Sequence, residues 1–274
     1  MNPSFHDLFD LSGRVAIVTG GLGILGRHFC RALSEYGAHV VVADLDGDAA
    51  KAFAEELEHE NGVPCLGGAC DVTREDSVEA LVTSTLEHFG AIDILHNNAA
   101  SKSNDLEAFF APVEDYTLAE WRKIMEVNLD GVFLVSRSVG RRMIEQGRGG
   151  SIIHTGSIYG QLGSDPRIYA GSEYLGVAIN TPPVYAASKA GVAGLARYLA
   201  TSWAEHGIRV NTLVPGGIES GQNAEFVSRY SQRVPLQRMG HPDELVGALL
   251  FLASDASRYV TGQCLFVDGG LSAW

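Results

Sequence analysis

The stretch from residue 15 to residue 44 constrains the fold most. Val15-Ala16-Ile17-Val18 is a short, mostly β-branched apolar run. It breaks into Thr19-Gly20-Gly21-Leu22-Gly23-Ile24-Leu25-Gly26 and resumes as a helical pattern over 27–36, where Gly37 is placed to end it. A second apolar run, Val40-Val41-Val42-Ala43, closes on Asp44. Strand, glycine turn, helix, strand, acid is the order of a dinucleotide-binding βαβ unit. The glycines permit a tight turn and a close approach of backbone to a pyrophosphate. The free N–H groups and positive dipole end of the helix then face that anion. Asp44 falls about 20 residues beyond the turn, the spacing of an acid that accepts hydrogen bonds from ribose hydroxyls. Its charge opposes a 2′-phosphate by roughly 1–4 kcal/mol at contact distance, which favours NAD over NADP. Arg27, a cation just after the turn, is the counter-argument.

The same alternation runs to the end of the chain. Amphipathic helical patterns cover 48–60 and 77–89, and a long helix covers 118–143, carrying Asn128 and Gly131. Apolar strands end at Asp71-Val72, at Asn97-Asn98-Ala99-Ala100, at Thr155-Gly156-Ser157, at Pro215-Gly216-Gly217 and at Asp268-Gly269-Gly270. This predicts an α/β fold: one doubly wound parallel sheet of the Rossmann type, with helices on both faces, in a single domain over 1–274. In such a sheet ligands bind at the C-terminal strand ends, where Asp44, Asp71, Asn97, Ser157 and Pro215 all fall.

Tyr185 and Lys189 stand four apart at the start of a small, apolar helical stretch, so they share a face. A cation beside a phenol favours the phenolate and makes a proton-transfer group of a tyrosine. Composition narrows the partners. A formal net charge of −13 argues against nucleic acid or an anionic membrane as partner. No apolar run has the length of a membrane span, and the N-terminus lacks a signal-peptide pattern. The four cysteines have no metal-ligand spacing with one another or with histidine, so no metal is expected. They are read as reduced, mostly buried thiols of a cytoplasmic protein. Arg141, Arg142 and Arg148 are read as cations near a helix C-terminus.

Taken together, these residues resemble the short-chain dehydrogenase/reductase superfamily, in its compact single-domain branch, over nearly the whole chain. The motifs stand in the family's order: the turn 19–26, Asp71-Val72, the run 97–100, Asn128, Ser157, Tyr185 with Lys189, and Pro215-Gly216. The resemblance implies that Tyr185 is the general acid/base. Lys189 would hold the nicotinamide ribose and lower the Tyr185 pKa. Ser157 would orient the substrate oxygen, and Asn128 would order a water in a proton relay to Lys189. It implies cofactor contacts from Gly20, Gly23, Ile24, Leu25, Gly26, Asp44, Asp71, Val72, Asn98, Ala99, Pro215, Gly216 and Ile218, with Asn97 toward the adenine-side ribose.

Two features depart from the compact branch. Its glycine pattern would put glycine at position 24, where this chain has Ile24. The spacing fits the turn of the family's extended branch instead. The connection from Ser157 to Tyr185 is also longer than usual, with extra residues over about 162–182. Tyr169 lies within them, but its i+4 residue is Glu173, so it lacks the cation. This insertion is expected to shape the substrate pocket or an oligomer contact. The segment 219–234 takes the place of the family's substrate lid. Its Gln222, Asn223, Arg229, Tyr230 and Arg233 suggest a hydroxylated substrate.

The implied activity is NAD-dependent interconversion of a secondary alcohol and a ketone on a small polar molecule such as a sugar, polyol or sugar acid. One alternative is a 3-oxoacyl carrier-protein reductase using NADPH. Another is a catalytically silent NAD-binding sensor or scaffold. Family precedent also implies a homo-oligomer, a tetramer or dimer. The tail Leu271-Ser272-Ala273-Trp274 ends in an aromatic, and Trp274 is expected to be buried at a subunit contact.

Overall fold

The computed structural model describes residues 5–274. Seven strands form one parallel sheet: β1 (Val15–Thr19), β2 (His39–Asp44), β3 (Leu66–Ala69), β4 (Ile94–Asn97), β5 (Gly150–Thr155), β8 (Ile208–Pro215) and β9 (Cys264–Val267). Their order is β3-β2-β1-β4-β5-β8-β9. The order reverses between β1 and β4, which makes a crevice at their C-terminal ends. A separate two-stranded hairpin, β6 (Glu173–Tyr174) with β7 (Val177–Ala178), lies in the insertion.

The helices are α1 (Ile24–Glu35), α2 (Gly47–Asn61), α3 (Glu75–Phe89), the short α4 (Leu106–Phe109), α5 (Leu118–Met125), α6 (Val132–Gln146), α7 (Pro183–Ser202), α8 (Ala224–Ser231) and α9 (Val246–Ala253). Local chemistry sets their ends. Asp46 caps α2 by accepting from Ala49 N–H at 3.0 Å, and left-handed Gly62, Gly90 and Gly147 terminate α2, α3 and α6. Pro183 opens α7 at a position where its missing N–H costs nothing.

The sheet separates two apolar layers. Phe29, Leu33, Phe53, Leu57 and Leu249 fill one, and Leu81, Val82, Val135, Val139 and Met143 fill the other. Nearly every β1 and β2 side chain is buried on both faces, as an unalternating apolar strand requires.

The expected long helix over 118–143 is present but not uniform. Between α5 and α6 the backbone takes a π-helical turn over Glu126–Gly131. Such turns insert an extra residue and often mark functional sites. Here the turn holds Asn128 fully buried and sets Gly131 against Val72, where an added Cβ would stand 2.7 Å from a Val72 methyl. Arg148, two residues beyond the end of α6, also pairs with the buried Asp93 at 2.7 Å. Asp93 in turn accepts from Val15 N–H, so the pair pins the start of β1. All four cysteines are free thiols; three are buried and Cys264 is half-buried. Among the described residues no helix is long and apolar enough to cross a membrane. Trp274 is exposed on the single chain and donates through its indole N–H to Arg233 C=O at 2.9 Å.

Candidate active site

The glycine turn is packed too closely for side chains at two points. Gly20 has φ +64°, and a Cβ there would lie 2.8 Å from Ala99 Cα. A Cβ on Gly26 would lie 2.1 Å from the Gly20 carbonyl oxygen. Position 24 carries no such demand: Ile24 opens α1 with its side chain 54% exposed. The departure from the compact pattern is thus absorbed at a solvent-facing position. Arg27 N–H closes the first helical bond, onto Gly23 C=O. The N–H groups of Ile24, Leu25 and Gly26 are the helix's uncapped donors, since Gly23 has no capping side chain.

The turn is braced from β4. Thr19 Oγ1 accepts from both Asn98 N–H (3.1 Å) and Ala99 N–H (3.2 Å). The Asn98 amide donates to Gly20 C=O at 3.1 Å and accepts from Thr155 Oγ1 at 3.2 Å. Asn97 has a different place from the one expected. It is buried and donates to Ser136 Oγ at 2.9 Å, because its side chain leaves the strand on the face opposite that of Asn98. It cannot reach a ribose without unpacking α6.

Asp44 ends β2 beside the turn. One carboxylate oxygen accepts from Leu22 N–H (3.0 Å) and the other from Leu45 N–H (2.8 Å). Arg27, the cation that could have met a phosphate, holds its guanidinium 4.6 Å above the Phe53 ring and donates to Leu22 C=O. Asp71 accepts from Thr73 N–H and Thr73 Oγ1 through one oxygen, and Val72 is buried beside it. These features fit a dinucleotide: a backbone cradle, uncapped helix donors and an acid at the second strand end.

Ser157, Tyr185 and Lys189 meet at the far side of the crevice. Ser157 follows β5, and its hydroxyl accepts from Tyr159 N–H at 3.2 Å. Lys189 is buried, and its ammonium donates to Thr155 C=O at 2.8 Å, with Nζ 5.9 Å from the Tyr185 ring centre. The expected lowering of the Tyr185 pKa is reversed here. Burial pushes the phenol up, with the Ser157 hydroxyl pulling it back in part. Burial also brings Lys189 down to about 8. The reason is desolvation: both groups are driven toward their neutral forms, and the ammonium faces a carbonyl rather than the phenol oxygen. Asn128 braces the loop after β4 against α7. Its carbonyl oxygen accepts from Ser101 N–H at 2.9 Å, and its amide reaches Ser188 Oγ at 3.4 Å.

Between these residues and the insertion lies a cavity of about 430 Å³. Ser157 and Tyr185 reach it from the fold, Ser101 and Lys102 from the loop after β4, and Tyr169, Asn180 and Thr181 from the insertion. Gly216 and Gly217 close one side. The lid residues are not part of its lining. Asn223 reaches Glu173 C=O, Arg229 reaches Ala170 C=O and Glu225, and Arg233 pairs with Asp165. Tyr230 Oη accepts from Gly217 N–H. Asn223, Arg229 and Arg233 of the lid thus spend polar groups on the insertion. The pocket's polarity comes instead from Tyr159, Tyr169, Asn180, Thr181 and Lys102, which the sequence motifs do not mark. Tyr169 Oη bonds Thr181 Oγ1 at 2.6 Å, so the rival tyrosine is a wall of the pocket.

A family model described as Enoyl-(Acyl carrier protein) reductase matches residues 23–272. A solved short-chain type dehydrogenase/reductase from Mycobacterium marinum is 35% identical, covers 99% of this chain and 100% of its own, and superposes with a TM-score of 0.86. The chain belongs to the short-chain dehydrogenase/reductase family. It is therefore an oxidoreductase of CH–OH groups that uses a nicotinamide dinucleotide. Two further members of the family bear on the substrate and cofactor. D-threitol dehydrogenase of Mycolicibacterium smegmatis is 36% identical over 267 residues, 96% of this chain and 94% of that one. A gluconate 5-dehydrogenase from Burkholderia cenocepacia, solved with NADP and tartrate, is 36% identical over 98% of both chains, with a TM-score of 0.86.

Proposed function

We propose that this short-chain dehydrogenase/reductase interconverts a secondary alcohol and a ketone on a small polyhydroxylated substrate, using NAD, with Tyr185 as general acid/base. The observation that carries the proposal is the cavity: Tyr185 and Ser157 present hydroxyls into a space where the polar groups of Ser101, Tyr159, Tyr169, Asn180 and Thr181 stand among the apolar Phe109, Ile158 and Pro182. A site of that kind favours partners that return the hydrogen bonds and penalises apolar ones, whose contact would leave those groups unpaired. Relatives that act on a four-carbon polyol and on a sugar acid support the same class.

A bound dinucleotide supplies the hydride acceptor in oxidation and the donor in reduction. Gly20, Gly26 and the α1 N-terminus would hold its pyrophosphate, and Asp44 its adenine-side ribose. Gly23, Ile24, Leu25, Asp71, Val72, Asn98 and Ala99 would border its path, with Pro215, Gly216 and Ile218 at the nicotinamide end. Lys189 spends one of its three donors on Thr155 C=O, which leaves two for ribose hydroxyls. Ser157 would donate to the substrate oxygen and hold it near Tyr185 Oη. In oxidation Tyr185 takes the proton of the substrate hydroxyl; in reduction it returns one to the carbonyl oxygen.

The proton count of the Tyr185–Lys189 pair sets a pH dependence. The pair sheds its first proton near Lys189's value of about 8, and the resulting state includes the tautomer with phenolate and ammonium. Alcohol oxidation needs that state, so kcat/KM for oxidation is expected to rise with pH through about 8. Ketone reduction needs the fully protonated pair and is expected to fall through the same window. Initial rates in both directions across pH check the sign. A flat profile would remove the pair from proton transfer.

The NAD assignment rests on Asp44. Its carboxylate at the end of β2 would repel a 2′-phosphate on a ribose bound there, Leu45 follows it instead of a cation, and Arg27 is held on Phe53. Fluorescence titration is expected to show NADH binding at least about tenfold more tightly than NADPH. Asp44→Asn should narrow that gap. Tighter binding of NADPH, the phosphorylated class seen with the Burkholderia relative, would overturn the assignment. Phe133 on α6, Tyr198 on α7 and Trp274 in the tail are exposed, and they support assembly of copies through these elements.

A further inference from the structure

The cavity has an electrostatic character opposite to that of the protein. The chain carries a formal charge of −13, yet no Asp or Glu lines the cavity, and Lys102 is the charged residue in its wall. Lys102 sits just beyond the Asn98-Ala99-Ala100 strand end. Asn128 fixes the base of that loop by accepting from Ser101 N–H at 2.9 Å. The ammonium donates to Tyr174 Oη at 2.8 Å and lies 4.3 Å from the Tyr174 ring centre. Tyr174 belongs to the β6–β7 hairpin, so the insertion tethers this exposed cation at the rim of the pocket. Among the described residues no carboxylate pairs with Lys102, whereas most arginines of the chain do have such partners. An ammonium has three donors, and the Tyr174 hydroxyl takes one.

We propose that Lys102 is a specificity-determining residue that binds a substrate carboxylate, so the preferred substrates are sugar acids rather than neutral polyols. This rests on the reading of the site as one for polyhydroxylated alcohols. The carbinol to be oxidised meets Tyr185 and Ser157, and the hydroxyls between meet Tyr169, Asn180 and Thr181. The carboxylate end meets Lys102 at the wall of the cavity. A cavity of about 430 Å³ is within the range of small-ligand pockets. A charge-assisted hydrogen bond there adds affinity that a neutral hydroxyl cannot match.

The test uses two probes that share a carbon chain, D-gluconate and D-glucitol, which differ in a carboxylate against a primary alcohol. Wild-type protein is expected to show the lower KM for gluconate. Lys102→Gln should raise that KM by about 10- to 100-fold with kcat little changed, and raise the KM for glucitol far less, since a neutral hydroxyl there loses only an uncharged partner's hydrogen bond. Lys102→Arg should restore most of the loss, and added salt should shrink the preference. Titration of gluconate into the protein–NADH complex reads the same contact without turnover. Equal effects of Lys102→Gln on both probes, or glucitol preferred by wild type, would overturn the proposal while leaving the polyol reading intact. Gluconate binding that depends on Lys102, with no turnover of any alcohol, would uphold the anchor and sink the proposed reaction. Failure of gluconate to bind at all would overturn the anchor.

Discussion

Tyr185→Phe is expected to lower kcat for alcohol oxidation by about 10²–10⁴-fold, the contribution typical of a positioned general acid/base. Dinucleotide binding should be retained. The substitution removes one oxygen and keeps the ring, so the half-buried site keeps its packing. The ammonium of Lys189, bonded to Thr155 C=O, keeps its place. Initial rates and NADH titration on the same preparation separate the outcomes. Loss of turnover with intact binding supports proton transfer by Tyr185. Intact turnover would remove Tyr185 from the chemistry and return attention to Tyr169, the other phenol in the pocket wall.

Gly26→Ala is expected to have the second large effect, on binding and folding together. The added methyl would stand 2.1 Å from the Gly20 carbonyl oxygen and 2.9 Å from Gly21 backbone atoms. No side chain can yield there, because the neighbours are backbone. The turn must open, which costs about 1–3 kcal/mol in stability by the usual scale of overpacking. The displaced N–H groups no longer converge on one anion. Dinucleotide affinity should fall at least tenfold, on the order of 1.4 kcal/mol, with a lower melting temperature. Ile24→Ala, at an exposed position of the same turn that keeps its backbone N–H, should leave the melting temperature near wild type and lower affinity far less than Gly26→Ala. A tight-binding Gly26→Ala protein would show that the pyrophosphate does not sit on this helix N-terminus.

The features legible in the sequence are those decided by local chemistry. The β1–turn–α1–β2 unit follows from β-branched runs, glycines that no Cβ can replace, and an acid at the strand end. The parallel sheet follows from apolar strands alternating with amphipathic helices. Tyr185 and Lys189 share a face because α7 is regular. The misread features depend on contacts between distant segments. Asn97 and Asn98 look equivalent as a pair, but strand alternation sends one into α6 and the other to the glycine turn. The polar lid residues match a sugar site by composition, yet Asn223, Arg229 and Arg233 bond to the insertion, whose path no periodicity reveals. The π turn at Asn128 leaves no compositional mark, since its residues also suit an α-helix. Burial decided the proton balance of Tyr185 and Lys189, and i,i+4 spacing carries no information about burial. Lys102 gives the weakest signal of all, one lysine after a strand end. Only the insertion, folded back as a hairpin, shows what it faces.

The most direct measurement is the initial rate of dinucleotide reduction by the purified protein, with NAD⁺ and NADP⁺ in parallel, on D-threitol, D-glucitol and D-gluconate above pH 8. The account predicts turnover of a polyhydroxylated alcohol with NAD⁺ preferred, and its loss in Tyr185→Phe. Binding of dinucleotide without reduction on any of these substrates, or turnover that survives Tyr185→Phe, would contradict it.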